Sequence, residues 1–291
     1  MPAMTETIVH IEGLLIELGG RRVLDVPRLH LRAGERVALV GSNGAGKSSL
    51  LKVLGGLLPA TQGQVSVLGR DVGARGPGAL RPAQWRQLRA ELGQVMQGLH
   101  LVPRLSALEN VVLGALARPG AMPLWRSWLR CYPSALQHEA LQALADLGLA
   151  HLAHTRADQL SGGERQKTSI ARLHLQRPRL ILADEPTSAL DPAATQQACD
   201  ALTRLATQAT LVTVVHDTRL LAQLADRVIG LKAGRVVFDL DTQALDTRLL
   251  QTLYEQEDHT HEPSADAGAH LPPALPLWPR GVSPAPATGT V

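Results

Sequence analysis

Three short stretches carry the residues whose types and spacing can do chemistry. In the first, RVALVGSNGAGKSSL from Arg36 to Leu50, an apolar run enters a glycine-rich turn and passes at once into helix-forming residues. The turn has the spacing G-x-x-x-x-G-K-S. Gly41, Gly44 and Gly46 let the backbone curl into a nest of inward N–H groups, and the helix that follows sets its positive end at the same place. Such a nest suits phosphate, so Gly41, Ser42, Asn43, Gly44, Ala45, Gly46, Lys47, Ser48 and Ser49 form the predicted nucleotide cradle. Lys47 would act as a point charge on the β- and γ-phosphates, and the Ser48 hydroxyl would hold a Mg²⁺ bridging them. A plain strand-to-helix turn would need the same glycines. The strand before it and the helix after it favour nucleotide.

The second stretch, LILADE from Leu180 to Glu185, reads as a buried strand ending in two carboxylates. Asp184 would reach the Mg²⁺ shell, leaving Glu185 to polarise a water aimed at the γ-phosphate. The third, LSGGERQ from Leu160 to Gln166, spaces Ser161 and Glu164 as a capping box and puts Gly162 and Gly163 where backbone can approach a helix start. This predicts a second anion-binding helix end.

The elements that must position these residues follow from periodicity. Ile8 to Leu18 and Val23 to Leu31 alternate around Gly19 and Gly20, predicting an antiparallel layer that leads into the strand at Val37. A helix from Lys47 stops near Gly55 and Gly56; Gln64 to Val67 is a strand, Pro82 to Glu91 a helix begun by proline, and Gln94 to Met96 a short strand. After Gln97 the pattern turns helical: Leu105 to Leu116 opens on a capping box of Ser106 with Glu109, and Leu136 to Leu147 repeats Leu and Ala at helical spacing. Between them, Pro119 to Pro133 holds Trp125, Trp128 and Tyr132 among arginines. Aromatic packing inside the insert is the preferred reading, with partner contact as the alternative.

Strands return at Leu180 to Ala183, Thr210 to Val215, Val228 to Leu231 and Arg235 to Phe238, with a helix opening at Asp191 and Pro192. Strands alternating with helices predict a largely parallel sheet with its ligand at the strands' carboxyl ends. The expected division is therefore 1–97 with 178–256 as the nucleotide-binding core, 98–177 as a helical insert, and 257–291 as a disordered tail. The tail's His259, His261 and His270 read as solvated rather than as a metal site.

A chain of 291 residues, 45% hydrophobic and 19% charged, buries a sizeable core, and a net charge of +3 argues against a nucleic-acid partner. Arginines cluster from Arg81 to Arg89 and at Arg126 and Arg130, which read as solvated helix faces or protein contacts. Cys131 and Cys199 lack metal-ligand spacing and read as small, partly buried thiols of a reducing compartment. No stretch is long and apolar enough to span a bilayer, and the start of the chain lacks a secretion-signal pattern.

Taken in order, these motifs are those of a known family. The chain resembles the ATP-binding subunits of ABC transporters over roughly Ile8 to Tyr254: phosphate loop, a glutamine-loop residue Gln97, the signature Leu160 to Gln166, Asp184 with Glu185, Ser188 to Asp191, and a switch histidine, His216. The resemblance implies an α/β fold of the ABC-type P-loop class, with a mixed sheet, an antiparallel β layer and the helical insert. It also implies ATP and Mg²⁺ as ligands. Two copies would close head to tail, so that Ser161, Gly162 and Gly163 of one cap the ATP held by the other. Gln97 would reach Mg²⁺ and relay nucleotide state into the insert, His216 would hold the γ-phosphate, and Asp191 would pass signals between the sites.

Glu185, His216, Lys47 and Gln97 are then the catalytic set; Ser48, Gln97 and Asp184 are the metal set. The partners implied are a homodimer mate and two integral membrane permease subunits, with a solute-binding protein indirectly, at the cytoplasmic face of the inner membrane. Gln97 to Val111, Trp125 to Pro133 and Leu249 to Glu255 look most like the phosphonate importer ATPases, which implies uptake of a phosphonate or related oxyanion. A soluble ABC-type ATPase serving a phosphonate-degrading enzyme complex is the alternative. Two departures from the family pattern stand out. No aromatic residue precedes Trp85, so adenine would meet only the region of Leu18, Arg21 and Arg22, and Lys167 stands where arginine is more usual.

Overall fold

β1 (Thr7–Leu18) folds back through Gly19 and Gly20, at φ of 57° and 76°, onto the antiparallel β2 (Arg21–Arg32), as the glycine pair predicts. β3 (Arg36–Val40) then feeds α1 (Lys47–Leu54); β4 (Gln62–Val67) and the short β5 (Arg70–Asp71) extend the first hairpin. Next come α2 (Pro82–Glu91), starting on its proline, and β6 (Leu92–Val95). A helical stretch follows: α3 (Ala107–Val112), α4 (Leu124–Trp128), α5 (Ser134–Ala145) and α6 (Gly162–Gln176). The chain then alternates β7 (Leu180–Asp184), α7 (Pro192–Ala206), β8 (Thr210–Val214), α8 (Leu221–Leu224), β9 (Arg227–Lys232), β10 (Arg235–Asp241) and α9 (Thr247–Tyr254). This computed structural model describes residues 6–74, 78–96 and 101–254, all within the unit Met1–Glu257. Gln97 and the predicted tail lie outside the described residues.

The strands form two sheets. One is four-stranded and antiparallel, in the order β2-β1-β4-β5; the other is six-stranded, in the order β10-β9-β3-β8-β7-β6, with all pairs parallel except β10 with β9. The second is thus a mixed sheet. Successive side chains of a strand leave on opposite faces, and here both faces are covered. From β3, Val37 and Leu39 enter the core shared with the antiparallel sheet and α1, whereas Ala38 and Val40 enter the one shared with α3, α5, α6 and α7. β7 divides in the same way, Leu180 and Leu182 against Ile181 and Ala183, and all five of its residues are buried. Removing one such side chain, as in Leu182→Ala, costs about 2–5 kcal/mol through lost burial and the cavity left behind.

Four sequence expectations shift. The strand predicted at Gln94 to Met96 begins at Leu92, because its ladder to β7 starts with Leu92 opposite Leu180. The helix predicted from Leu105 to Leu116 is α3 followed by a tighter 3₁₀ segment, Leu113–Ala117, in which Gly114 lies so close to α6 that a Cβ would sit 2.4 Å from the Arg172 carbonyl oxygen. Trp125 and Trp128 do not pack inside the insert: they are 59% and 87% exposed, and of the three aromatics only Tyr132 packs against the core. Cys131 is exposed rather than partly buried, whereas Cys199 is fully buried, its thiol pushed up to about 11 by burial first and then by the charges of Asp200 and Asp217.

Candidate functional site

The phosphate loop hangs between the centre of the six-stranded sheet and α1; all three of its glycines take positive φ, and Gly41 and Gly46 are required by contact as well. At Gly41, φ is 148° and a Cβ would lie 2.2 Å from the Leu231 carbonyl oxygen; at Gly46, φ is 100° and a Cβ would meet Leu24 Cδ2 at 2.7 Å. The first hairpin therefore leans on the loop through Leu24, which also brings β9 and the β9–β10 turn alongside it: Gly234 N donates to the Ala45 carbonyl at 3.0 Å. Lys47, only 5% exposed, folds back across the loop and donates through Nζ to the carbonyls of Gly41 and Ser42, both at 2.7 Å. An ammonium is thus buried beside inward-facing loop backbone, an arrangement that suits a polyphosphate anion.

Ser48, one residue into α1, donates through Oγ to Asp184 Oδ1 at 3.1 Å. Asp184 ends β7 next to β8 and is buried. Burial is the main cause that lifts its carboxyl above the usual range; the neighbouring Glu185 adds to the rise, while the Ser48 hydrogen bond, Lys52 and Lys47 oppose it. A serine hydroxyl and a carboxylate form an oxygen-only donor pair, and among the described residues no cluster of three or more His, Cys, Asp or Glu is placed to hold a metal. Two hard oxygen donors fit a small divalent cation whose remaining ligands come from water and phosphate.

Glu185 carries the opposite signature to Asp184: it leaves the strand at φ 50°, a left-handed torsion rare for a residue with a side chain. Its Oε1 lies 2.9 Å from His216 Nε2, and His216 sits just beyond the end of β8. Beside the pair opens a cavity of about 530 Å³, lined also by Ser188, Leu190, Asp217 and Arg219. Sequence reasoning did not anticipate what holds the strained torsion. The Glu185 carbonyl accepts from Gln166 Nε2 at 2.7 Å, from Ser188 N at 3.3 Å and from Ser188 Oγ at 3.2 Å. Gln166 belongs to α6, so the helix that begins at the signature is tied to the backbone of the carboxylate. Gln166 ends a motif already singled out, but only the fold reveals where its amide points.

The signature turn adopts the predicted cap: Ser161 Oγ accepts from Glu164 N at 3.2 Å, and Glu164 Oε2 accepts from Ser161 N at 2.7 Å. Gly162 is the first residue of α6, and Gly163 packs against the Ser188 to Asp191 loop, where a Cβ would lie 2.9 Å from the Ala189 carbonyl oxygen. Asp191 caps α7, its Oδ1 accepting from Ala194 N at 2.9 Å. The fold therefore gathers the phosphate loop with Ser48 and Asp184, and Glu185 with His216. At the signature turn it is Gly163 that meets the Ser188 to Asp191 loop. At the hairpin tip, Leu18 is 49% exposed, and Arg21 and Arg22 are exposed as well, with Arg22 paired to Asp25 at 3.0 Å.

A glycine-rich loop between a central parallel strand and a helix, with a buried aspartate at the end of another strand of that sheet, defines a P-loop nucleoside triphosphatase. The profile of the family described as ABC transporter matches residues 24–188. A phosphonates import ATP-binding protein of Nocardia farcinica is 40% identical over 90% of this chain and 95% of its own length. One from Frankia casuarinae is 41% identical over 82% and 92%. Among solved structures, the dimeric ATP-binding cassette MJ0796, bound to ADP and phosphate after hydrolysis, superposes with a TM-score of 0.70 at 30% identity, covering 82% of this chain and all of that one. The chain belongs to the ABC transporter family and is an ABC-type ATPase. Among the described residues no helix is long and apolar enough to cross a membrane.

Proposed function

We propose that this chain is the ATP-hydrolysing subunit of an ABC importer and couples ATP binding and hydrolysis to uptake of a phosphonate or related oxyanion. The observation that carries the chemistry is the pairing of two unlike carboxylates. Asp184, buried and bonded to Ser48, faces the phosphate loop; Glu185, strained and bonded to His216, faces an open cavity. The class of solute follows from the relatives, which are phosphonate import ATP-binding proteins.

In this reading Lys47 holds the β- and γ-phosphates, and the loop N–H groups from Gly41 to Ser49 orient them. Ser48, Asp184 and Gln97 would hold Mg²⁺, which when bound would neutralise phosphate charge. Glu185 Oε1 takes the proton of the attacking water; His216 Nε2, 2.9 Å away, aims that carboxylate and would hold the γ-phosphate. Asp184 is too buried, and too engaged by Ser48, to be that base.

One chain supplies the loop and the carboxylates but not the cap, since its own signature turn lies, through Gly163, against the Ser188 to Asp191 loop. A second copy supplies the turn, and Asp191 links the two sites. Closure of the pair drives two permease subunits at the cytoplasmic face of the membrane, because ATP binds the closed state better than the open one. The decisive variant is Glu185→Gln. It should bind ATP, lose hydrolysis by 10²–10⁴-fold, about the range for removing a general base, and accumulate as an ATP-bound dimer on gel filtration. Undiminished turnover, or full-rate hydrolysis by a strict monomer, would end this reading.

A further inference from the structure

A cavity of about 360 Å³ opens where α5, α6 and α7 converge at the amino ends of β7 and β8. Pro178 and Arg179, which precede β7, and Gln208, which precedes β8, are among the residues that line it. Asp184 ends the same β7, roughly 16 Å away for five residues of extended chain. The cavity is therefore separate from the ATP cradle and shares no residue with it.

Its wall and its mouth differ in kind. The wall is apolar: Leu147, Ile170, Ala171 and Ala201 are buried, and Leu205 is partly so. No phenyl, phenol or indole ring is among the described residues that line it, so a nucleobase or other flat ligand has no ring to stack on. Methyl and methylene groups alone suit an aliphatic chain, and the volume is that of an ordinary small-molecule pocket. The mouth is polar and mainly cationic. His174, Arg177, Arg179, Arg204 and Gln208 are exposed there, with Asp146 as the single acid.

Ion pairs sort these cations. Arg177 is bound to Glu139 at 2.8 Å, and Arg179 to Glu6 at 2.8 Å and Glu91 at 3.2 Å, whereas Arg204 has no ion pair among the described residues. Arg204 stands in the last turn of α7, next to Leu205 of the wall. One uncommitted guanidinium matches one negative charge, and a carboxylate can meet its fork with two parallel hydrogen bonds. Asp146, which accepts from Gln142 at 2.9 Å, disfavours a doubly charged phosphate head at the same mouth. A small polar oxyanion would leave the apolar wall uncovered, and a neutral hydrocarbon would leave Arg204 unpaired.

We propose that this cavity binds an aliphatic monocarboxylate of the medium-chain fatty acid class, with its chain along Leu147, Ile170, Ala201 and Leu205 and its carboxylate on Arg204. Titration calorimetry of the full chain with hexanoate, octanoate and decanoate tests it. One saturable site per chain is expected, with affinity rising about fourfold for each added CH₂. Decanol and decyltrimethylammonium keep the tail but lack the negative head, and should bind about tenfold more weakly or worse. Arg204→Ala, a change at an exposed position, should weaken decanoate by about tenfold or more, with Arg204→Lys recovering part of the loss. Ala201→Phe fills the cavity from α7 and should abolish binding, with ATP affinity unchanged within about twofold; if that variant fails to fold, Arg204→Ala and the head-group comparison decide. A decanoate carrying a photoreactive diazirine should label residues 143–147, 170–179 or 201–208. Absence of saturable binding, equal binding of the three head groups, displacement of decanoate by saturating ATP, unaltered affinity in Arg204→Ala, or labelling confined to other residues, 257–291 included, overturns the proposal.

Discussion

The phosphate loop and the tryptophan segment are two short loops of one chain, built on opposite principles. Around the loop strain is largely answered within the chain: Gly41 and Gly46 accept torsions and contacts no other residue tolerates, Lys47 is buried but donates to two carbonyls, and the Glu185 torsion is held by Gln166 and Ser188, although Gln166 Oε1 is itself buried without a partner. In the tryptophan segment apolar area is exposed, Arg130 is strained, and two polar atoms, Arg126 Nε and Tyr132 Oη, are orphaned. The first region is preorganised for a ligand that arrives in water, where fixed donors cost no reorganisation at binding. The second keeps a cost of about 1–3 kcal/mol for each orphaned atom, with no described group to offset it.

The comparison can be broken at its strongest point first. Lys47→Ala removes the buried ammonium and should weaken ATP binding by about 10–100-fold, the worth of a lost charge-assisted contact; a titration with unchanged affinity would detach Lys47 from the cradle. A smaller effect of opposite sign is expected at Asp184. Folding raises this carboxyl by burial, so the ionised form costs native stability above its folded pKa, and the cost fades as pH falls through that value. Asp184→Asn should therefore raise the melting temperature of the nucleotide-free chain at neutral pH by a few degrees, about 1 kcal/mol, with the gain shrinking in acid and hydrolysis lost. A fall in melting temperature at pH 7 would show that the Ser48 bond outweighs burial.

The tryptophan side of the comparison predicts small numbers. Trp128→Ser should change unfolding free energy by no more than about 0.5 kcal/mol in denaturant melts, as for other surface sites, and a loss of several kcal/mol would mean the ring packs after all. Smallest of all, Cys131 should react with a maleimide at neutral pH while Cys199, buried and held as a thiol with its pKa pushed up to about 11, stays silent, and the modification should leave ATP affinity unchanged.

Local spacing made most of the site legible. The loop, the acid pair and the signature cap are each contained in a few consecutive residues, and hydrogen-bonding partners three positions apart, such as Ser161 with Glu164 or Asp191 with Ala194, are set by helix geometry alone. The hairpin and the two-faced strands were legible for the same reason. The misreadings arose where a residue's surroundings come from distant chain. Tryptophans beside leucines read as core, yet burial depends on whether another element covers them, and none of the described elements does so for Trp128. Gly114 falls inside the helix expected from Leu105 to Leu116, and its need for a missing side chain comes from α6, which lies against it.

By itself, then, the sequence determined the order of strands and helices, the phosphate loop, and the family to which the chain belongs, because all three are written in local periodicity and in motifs of a few residues. Tertiary structure alone decided that Gln166 holds the Glu185 carbonyl, that His216 meets its carboxylate, and that Trp125 and Trp128 face outward. Those outcomes depend on which distant segments share a boundary. Side-chain alternation and turn chemistry specify the path of the chain, but only the packed sheet and helices specify its neighbours.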